Sequence, residues 1–339
     1  MKNVLFATTA LVAMAGSAMA ASHGGMAAPM VSFSGEATGG YNDLTGLFLT
    51  GSVGADVSVD MGNNVTASVS WGGISFDAAA TPVITISQSV TAEFAYSGAF
   101  DASLRLGDLN DKGASEYFYN DRSGMALDVE NQDNGNDARA LFRFGSFGVA
   151  AGCDANGGAM GTCSGFNVGA GATFGSIKLG LGYDDAANVG GSRTAVSADA
   201  TFGSFDVGAS YITDGAANSI GLAAGTTFGS TKVKGYYAMN SAGADAYGVS
   251  VGYSAGALSI GAYFDQAAAS TYGVDLGYKV SDALTASAGV KVGGTTDYYA
   301  GIEYAVNSNV SATLSYANAA AISGPEFKNG VSAFITASF

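Results

Sequence analysis

One short turn sequence recurs in the middle of this chain at nearly constant spacing. Phe-Gly-Ser occurs at 144–146, 174–176, 202–204 and 228–230, so these turns lie about 26 to 30 residues apart. Loops rich in Asp, Asn, Gly and Ala lie between them, such as 214–219. Each repeat therefore predicts strand, loop, strand and tight turn, which is one antiparallel hairpin.

The segments between the turns alternate between apolar residues and small or polar ones. Val249, Val251 and Tyr253 share one face of a strand whose other face carries Gly and Ser. The same alternation runs through 331–339 at the end of the chain. A period of two with one apolar face predicts half-buried β-strands.

The second face of these strands distinguishes a membrane barrel from a soluble sandwich. A soluble sandwich would carry many Lys and Glu residues outside, but only 12% of this chain is charged and 51 residues are Gly. Aromatic residues lie at the strand ends, as in the girdles of membrane barrels. We therefore predict an all-β, transmembrane antiparallel β-barrel, in which closure pairs every backbone group away from water.

The N-terminal segment predicts export. Lys2 is followed by an apolar stretch, 4–15, and by the small-residue cleavage signal Ala18-Met19-Ala20. The apolar stretch is too short for a membrane-spanning helix. The predicted divisions are a signal peptide (1–20), an N-terminal linker (21–29) and the barrel (30–339).

Counting hairpins predicts about 20 strands, and any even number from about 16 to 20 leaves both termini on the turn side. Before residue 145 the alternation is less regular. The strands predicted there are 30–42, 47–60, 64–75, 82–97, 100–107 and 138–145.

A long interruption, 108–137, has no strand period and is the candidate functional segment. Connections of this length in compact domains are usually functional or disordered. Because Tyr117, Phe118 and Tyr119 need apolar contacts, we expect the segment to fold inward against the barrel wall. Its acidic residues are candidates for a pore constriction: Asp108, Asp111, Glu116, Asp121, Asp128, Glu130 and Asp133.

Three arginines on the flanking strands complete the predicted constriction. The side chains of Arg105, Arg139 and Arg143 lie on the face opposite the apolar face of their strands. We therefore expect them to point into the water-filled lumen. Acids on an inward loop facing these arginines would create a transverse field across a narrow opening, which favours polar solutes. The alternative is that these charges only solvate a surface loop and a rim.

The chain has two cysteines, Cys153 and Cys163. In an exported protein we expect them to form a disulfide, which would stabilise a hairpin loop by roughly 2–3 kcal/mol. A metal site lacks neighbouring ligands here, and a redox role lacks the C-x-x-C spacing.

No cofactor is expected, although two oxygen-rich turns resemble calcium loops. The candidate ligands are Asp108, Asn110, Asp133 and Asp137. Lys112 stands where the EF-hand pattern requires Asp or Asn, and neither turn has the bidentate Glu at the right spacing. Solvated turn chemistry is the alternative interpretation.

Charge and histidine content exclude two functional classes. A net charge of −15 argues against nucleic-acid binding, which needs basic patches, and favours cations as passengers. The single histidine, His23, lies outside the predicted barrel, so Ser-His or Asp-His catalysis is not expected. A non-conducting adhesive barrel and a substrate-specific channel stay open beside a general diffusion channel.

Several stretches resemble the general porins of Gram-negative bacteria, most closely the alphaproteobacterial, Rhodobacter-type porins. They are ATFGSIKLGLGYDD, TFGSTKVKGYYAM, YSGAFDASLRLGD before the long acidic loop, and the terminal SAFITASF. The resemblance implies a 16-stranded barrel, a homotrimer, and a long third loop folded inside as an eyelet. It also implies an outer membrane location, contacts with membrane lipids and lipopolysaccharide, and small hydrophilic solutes and ions as passengers.

Overall fold

In the computed structural model, backbone hydrogen bonds join nearly every strand to the next in chain order; the exception is the short strand Val83–Ile86, because the strand before it, Val65–Asp77, pairs directly with the strand after it, Val90–Ser97. The residues that the structure describes are 29–77, 83–86, 89–108, 113–127, 136–154, 165–185, 191–319 and 327–339. Every strand pairing among them is antiparallel, and none of these residues is helical. Accordingly, this part of the chain contains no helix long and apolar enough to cross a bilayer.

The first seven strands include the less regular half of the sequence. They are β1 (Met30–Asn42), β2 (Gly46–Gly62), β3 (Val65–Asp77), β4 (Val83–Ile86), β5 (Val90–Ser97), β6 (Asp101–Asp108) and β7 (Asn136–Phe144). The next seven are β8 (Phe147–Asp154), β9 (Gly165–Phe174), β10 (Ile177–Asp184), β11 (Arg193–Phe202), β12 (Phe205–Thr213), β13 (Asn218–Phe228) and β14 (Thr231–Asn240). The last seven are β15 (Ala246–Ala255), β16 (Leu258–Gln266), β17 (Ser270–Lys279), β18 (Leu284–Gly293), β19 (Thr295–Asn307), β20 (Val310–Ala317) and β21 (Gly330–Ser338).

The sheet closes on itself because β1 pairs with both β2 and β21. Of the 21 strands, β4 pairs only with β3, and β3 pairs with β5 to continue the wall. The closed barrel therefore has 20 strands, as the hairpin count predicts. The 16 strands implied by the porin resemblance are wrong for this chain, and a 20-stranded lumen is too wide for side chains alone to fill.

Two predicted boundaries also change. The single strand predicted at 82–97 is two, the short β4 and the wall strand β5. The long connection is shorter than 108–137, because β6 runs to Asp108 and β7 begins at Asn136. The period-two signal failed there because polar residues continue the ladder without an apolar face.

The tight turns owe their form to glycine at the first central position. In the four Phe-Gly-Ser turns, glycine has a positive φ, as at Gly203 (62°), and the following serine does not. This φ pattern is that of type II′ turns, whose twist matches the twist of paired strands. The turn at Asn63 and Asn64 has positive φ at both residues (52° and 63°), as a type I′ turn requires.

Outward-pointing side chains form an exposed apolar band. Phenylalanines occupy its turn end; Phe147 packs edge-on against Phe174 with ring centroids 5.6 Å apart, and Phe205 against Phe228 at 6.2 Å. Tyrosines occupy the loop end, among them Tyr247, which is 47% exposed. So large an exposed apolar area with aromatic belts at both ends is the surface of a membrane-spanning barrel.

A buried asparagine adds side-chain hydrogen bonds where the barrel closes. Asn42, fully buried at the loop end of β1, donates through Nδ2 to Asn329 O (2.7 Å) and Ser332 Oγ (2.8 Å). Its Oδ1 accepts from the backbone N–H groups of Leu44 and Thr45, both at 3.0 Å. One side chain therefore ties the first hairpin to the last strand.

We expect Asn42→Ala to destabilise the barrel by roughly 2–4 kcal/mol, because it leaves several buried donors and acceptors unpaired. The measurement is thermal unfolding in detergent, followed by circular dichroism. Asn218→Ala is the matched control, since among the described residues the Asn218 side chain at the loop end of β13 makes no such link. An equal loss of stability in both variants would contradict the closing role of Asn42.

Candidate functional site

Residues 113–127 of the long connection lie inside the barrel, along the inner wall. The backbone N–H of Ala114 donates to Asn167 Oδ1 on β9 (2.9 Å). Near the other end of the segment, Asn240 Nδ2 on β14 donates to Gly124 O (2.9 Å). The prediction that the long loop folds into the lumen is confirmed for this part, which we call the inner loop.

The wall accommodates the inner loop because its inward positions are very small. A Cβ atom at Gly169 would overlap the carbonyl oxygen of Ala114, and one at Gly180 would overlap that of Phe118. Elsewhere on the inward face, Gly252 has nothing within 4 Å of such an atom. The glycines of β9 and β10 thus form the surface on which the loop backbone lies.

Aromatic packing holds the middle of the inner loop. Tyr119, 4% exposed, packs on the inward residues Ala195 and Ile212. Met125 and Leu127 of the loop pack against the same cluster. The apolar patch on the otherwise polar lumen wall therefore buries loop side chains, as the loop aromatics predict.

An ion pair between Arg122 and Asp199 attaches the inner loop to the wall. Arg122 Nη2 lies 2.5 Å from Asp199 Oδ1 on β11, and the arginine side chain is 9% exposed. Asn120 Nδ2 also reaches this carboxylate, at 3.3 Å from Oδ2. A charged pair this sheltered from water is screened far less than a surface pair.

The three predicted wall arginines all point into the lumen. Arg105 and Arg139 are directly opposite each other on β6 and β7, and Arg105 Nε lies 3.6 Å from Glu93 Oε2. The ring of Tyr117 on the inner loop lies against the other two, with its centroid 4.9 Å from Arg139 Cζ and 5.3 Å from Arg143 Cζ. This aromatic contact, which the sequence did not predict, fixes the loop against the basic wall.

Two of the predicted loop acids belong to the described residues. Glu116 is half-buried and Asp121 is exposed. Asp108 ends β6, but its side chain lies outside what the structure describes, as do four whole residues: Asp111, Asp128, Glu130 and Asp133. The acidic side of the constriction therefore stays a prediction.

The disulfide and the calcium turns also stay predictions. Cys153 is half-buried near the end of β8, and Cys163 lies outside the described residues. The same holds for the calcium candidates Asn110 and Asp133 and for the side chain of Asp137. Within the described ranges, no group of three or more His, Cys, Asp or Glu residues could hold a metal ion.

A second segment that the sequence did not predict also projects into the lumen. Phe327, just before β21, is 8% exposed and packs against Tyr299 on β19, with ring centroids 5.4 Å apart. The ammonium of Lys328 lies 3.3 Å from the ring centroid of Phe48 on β2, and burial lowers the pKa of this lysine. The sequence feature that could have predicted this segment is an aromatic residue followed by a lysine in the long connection 318–329.

Together the two segments narrow the lumen from both sides. The inner loop is centred on β11 and β12, and the second segment lies beside β19, β21 and β2, about half the circumference away. The geometry defines a wide membrane β-barrel with an internal constriction. Such a structure can select solutes by size and charge.

Comparison with solved structures finds porins, at low similarity. Three mutants of the Rhodopseudomonas blastica porin match with 15%, 14% and 15% identity and TM-scores of 0.44, 0.44 and 0.43. Each match covers 91% of this chain and 100% of the other. No family model and no curated protein matches the sequence. At so low a TM-score and identity the likeness carries no conclusion, and the assignment of a function rests on the barrel itself.

Proposed function

We propose that this protein is a porin: a water-filled channel for passive diffusion of small hydrophilic solutes and ions across the outer membrane of a Gram-negative bacterium. The observation that carries the proposal is the inner loop, packed and hydrogen-bonded inside a closed 20-stranded barrel. An adhesive barrel has no use for a loop that narrows its lumen without filling it. In a conducting channel, such a loop sets the size and charge of the solutes that pass.

The lumen wall supports conduction because it is polar and partly charged. Inward positions carry Gly, Ser and Thr with isolated charged residues, as the sequence predicts. They are Lys178, Asp199, Asp206, Lys232, Lys234, Asp275, Lys291 and Glu303. Water is the medium in which such side chains are stable at low cost.

Single-channel recording in planar bilayers tests the proposal. We expect purified protein to produce large, stepwise increases in conductance that grow in proportion to salt concentration. A barrel that inserts, as shown by protection of its strands from protease, but carries no current would overturn the proposal in favour of an adhesive barrel.

Weak cation selectivity is part of the proposal, because the net charge is −15 and acidic residues are dense in the long connection. We expect the triple variant Glu116→Gln, Asp121→Asn, Asp128→Asn to lower the cation-to-anion permeability ratio by roughly twofold, since each neutralised acid removes attraction for cations at the narrowing. Reversal potentials under a salt gradient measure the ratio.

The control for this variant removes the same charge on β1, on β2 and in the connection between β17 and β18, away from the strands that the inner loop contacts: Glu36→Gln, Asp60→Asn, Asp282→Asn. We expect it to leave the reversal potential close to that of the unmodified protein. A shift as large as that of the loop variant would mean that total charge, and not the constriction, sets the selectivity.

The proposal also includes contacts of the outer face with membrane lipids and lipopolysaccharide, and assembly as a homotrimer. Support comes from the exposed apolar band and, for the trimer, from the sequence resemblance. Chemical cross-linking in native membranes, read as monomer, dimer and trimer bands, tests the assembly.

A further inference from the structure

A cavity of about 500 Å³ lies in the lumen between residues 121–123 of the inner loop and the wall strands β11 to β16. Its volume lies in the range of small-molecule binding sites. Cationic side chains that line it are Arg122, Lys232 and Lys234, and two tyrosines, Tyr236 and Tyr263, line it as well. Acidic residues also line it, so the free charge of the cavity depends on which of these are already paired.

The wall acids of the cavity each have a partner within the protein. Asp199 accepts from Arg122, and Asp265 accepts a hydrogen bond from the hydroxyl of Tyr236 at 2.6 Å. Asp206 accepts one from Thr201 Oγ1 at 2.8 Å. The loop residue Asp121 also takes part in an interaction. The neutral hydroxyl donors hold the carboxylates of Asp206 and Asp265 in place on the wall but leave their charge, and Asp199 is the wall acid whose charge is offset by a cation, Arg122.

The two wall lysines differ from these acids. Lys232 and Lys234 are exposed and lie two residues apart on β14, on the inward face, about 7 Å from each other. Among the interactions of the described residues, neither ammonium takes part in a hydrogen bond or an ion pair. Close by, the Nε atom of Arg122 is buried and has no hydrogen-bond acceptor among the described residues. The unengaged groups of this part of the cavity are thus cationic donors.

The tyrosines give the cavity flat surfaces beside these donors. The ring of Tyr236 lies over Gly248 on the neighbouring strand, and that of Tyr263 lies over Gly273. The ring of Tyr236 also lies beside Gly124 of the inner loop, so Tyr263 is the tyrosine that borders the cavity away from the loop. An aromatic ring in such a cavity suits a sugar ring, whose C–H groups pack against the aromatic face.

We propose that this cavity binds a small phosphorylated sugar, with the phosphate at Lys232 and Lys234 and the sugar ring against Tyr263. Two adjacent ammonium groups match the charge of a phosphate monoester, about −1.5 to −2 at neutral pH, better than that of a monocarboxylate. The inference deepens the proposed function, on which it rests: an acidic channel would hold one class of anionic solute at its narrowing.

Isothermal titration calorimetry of the full-length protein in detergent tests this binding without requiring conduction. The probes are glucose 6-phosphate, inorganic phosphate and glucose. We expect glucose 6-phosphate to bind most tightly, inorganic phosphate more weakly, and glucose weakest. Glucose binding as tight as that of its phosphate would overturn the assignment of the lysines.

The double variant Lys232→Gln, Lys234→Gln should weaken glucose 6-phosphate binding by about tenfold or more, because charge-assisted hydrogen bonds are lost. The matched control, Lys279→Gln with Lys291→Gln, removes the same charge from lumen lysines outside the cavity. Unchanged binding in the first variant, or an equal loss in the control, would overturn the proposal. Circular dichroism verifies that both variants are folded.

Single-channel recordings then separate this proposal from the proposed function. Glucose 6-phosphate should reduce the current through the unmodified channel and leave that of the lysine variant almost unchanged. A protein that never conducts refutes the porin proposal, whereas a conducting protein without calorimetric binding refutes the phosphate site alone.

Discussion

Gly180→Leu is expected to enlarge the channel, because the new side chain and the inner loop cannot occupy the same space. A Cβ at this position would overlap the backbone of Phe118, so that loop backbone has to move. The wall strand β10 is hydrogen-bonded on both sides, whereas the loop is held by side-chain contacts. The loop therefore gives way, and single-channel conductance should rise roughly twofold as the narrowest section widens.

Gly252→Leu is the matched control for this variant. Gly252 also faces the lumen on a wall strand, β15, but a Cβ there meets nothing within 4 Å. We expect its conductance to stay level or fall slightly, since the side chain only adds volume to the lumen. Equal conductance in the two variants would mean that the inner loop does not limit the current.

Arg122→Met is expected to leave the inner loop inside the barrel but loosely held. Asp199 loses its closest charged partner, and because that carboxylate is 29% exposed, the cost is about 1–3 kcal/mol rather than that of a fully buried pair. Movement of the loop should appear as increased open-channel current noise and brief closures on the millisecond scale. Planar-bilayer recordings at constant voltage measure both.

Two acids on neighbouring strands provide the comparison. Asp199→Asn should reproduce the noise of Arg122→Met, and the double variant should add little to either, as expected for two members of one ion pair. Asp206→Asn changes an inward acid whose described partner is Thr201 on the adjacent strand, not the loop. Noise from Asp206→Asn equal to that from Asp199→Asn would remove the anchoring role of the pair.

The two largest effects thus concern the inner loop, and the sequence predicted that loop better than it predicted its contacts. The aromatic residues 117–119 indicated that the segment needed a wall to pack on, and Tyr119 is buried against one. Nothing along the chain indicated that Arg122 pairs with Asp199, 77 residues away, or that Tyr117 contacts the wall arginines. Which side chains meet across the lumen depends on the register shift between neighbouring strands. No local sequence pattern encodes that shift.

By itself the sequence determined the properties that repeat from strand to strand. Alternation assigned side chains to lipid or lumen, and glycine in the tight turns determined the hairpins. Counting those hairpins predicted about 20 strands. These are local consequences of backbone geometry. Only the tertiary structure decided what meets inside the barrel: the loop seated on Gly169 and Gly180, the wall lysines beside Tyr263, and Phe327 projecting from the opposite wall. Those contacts exist because closure brings distant strands to face one enclosed space.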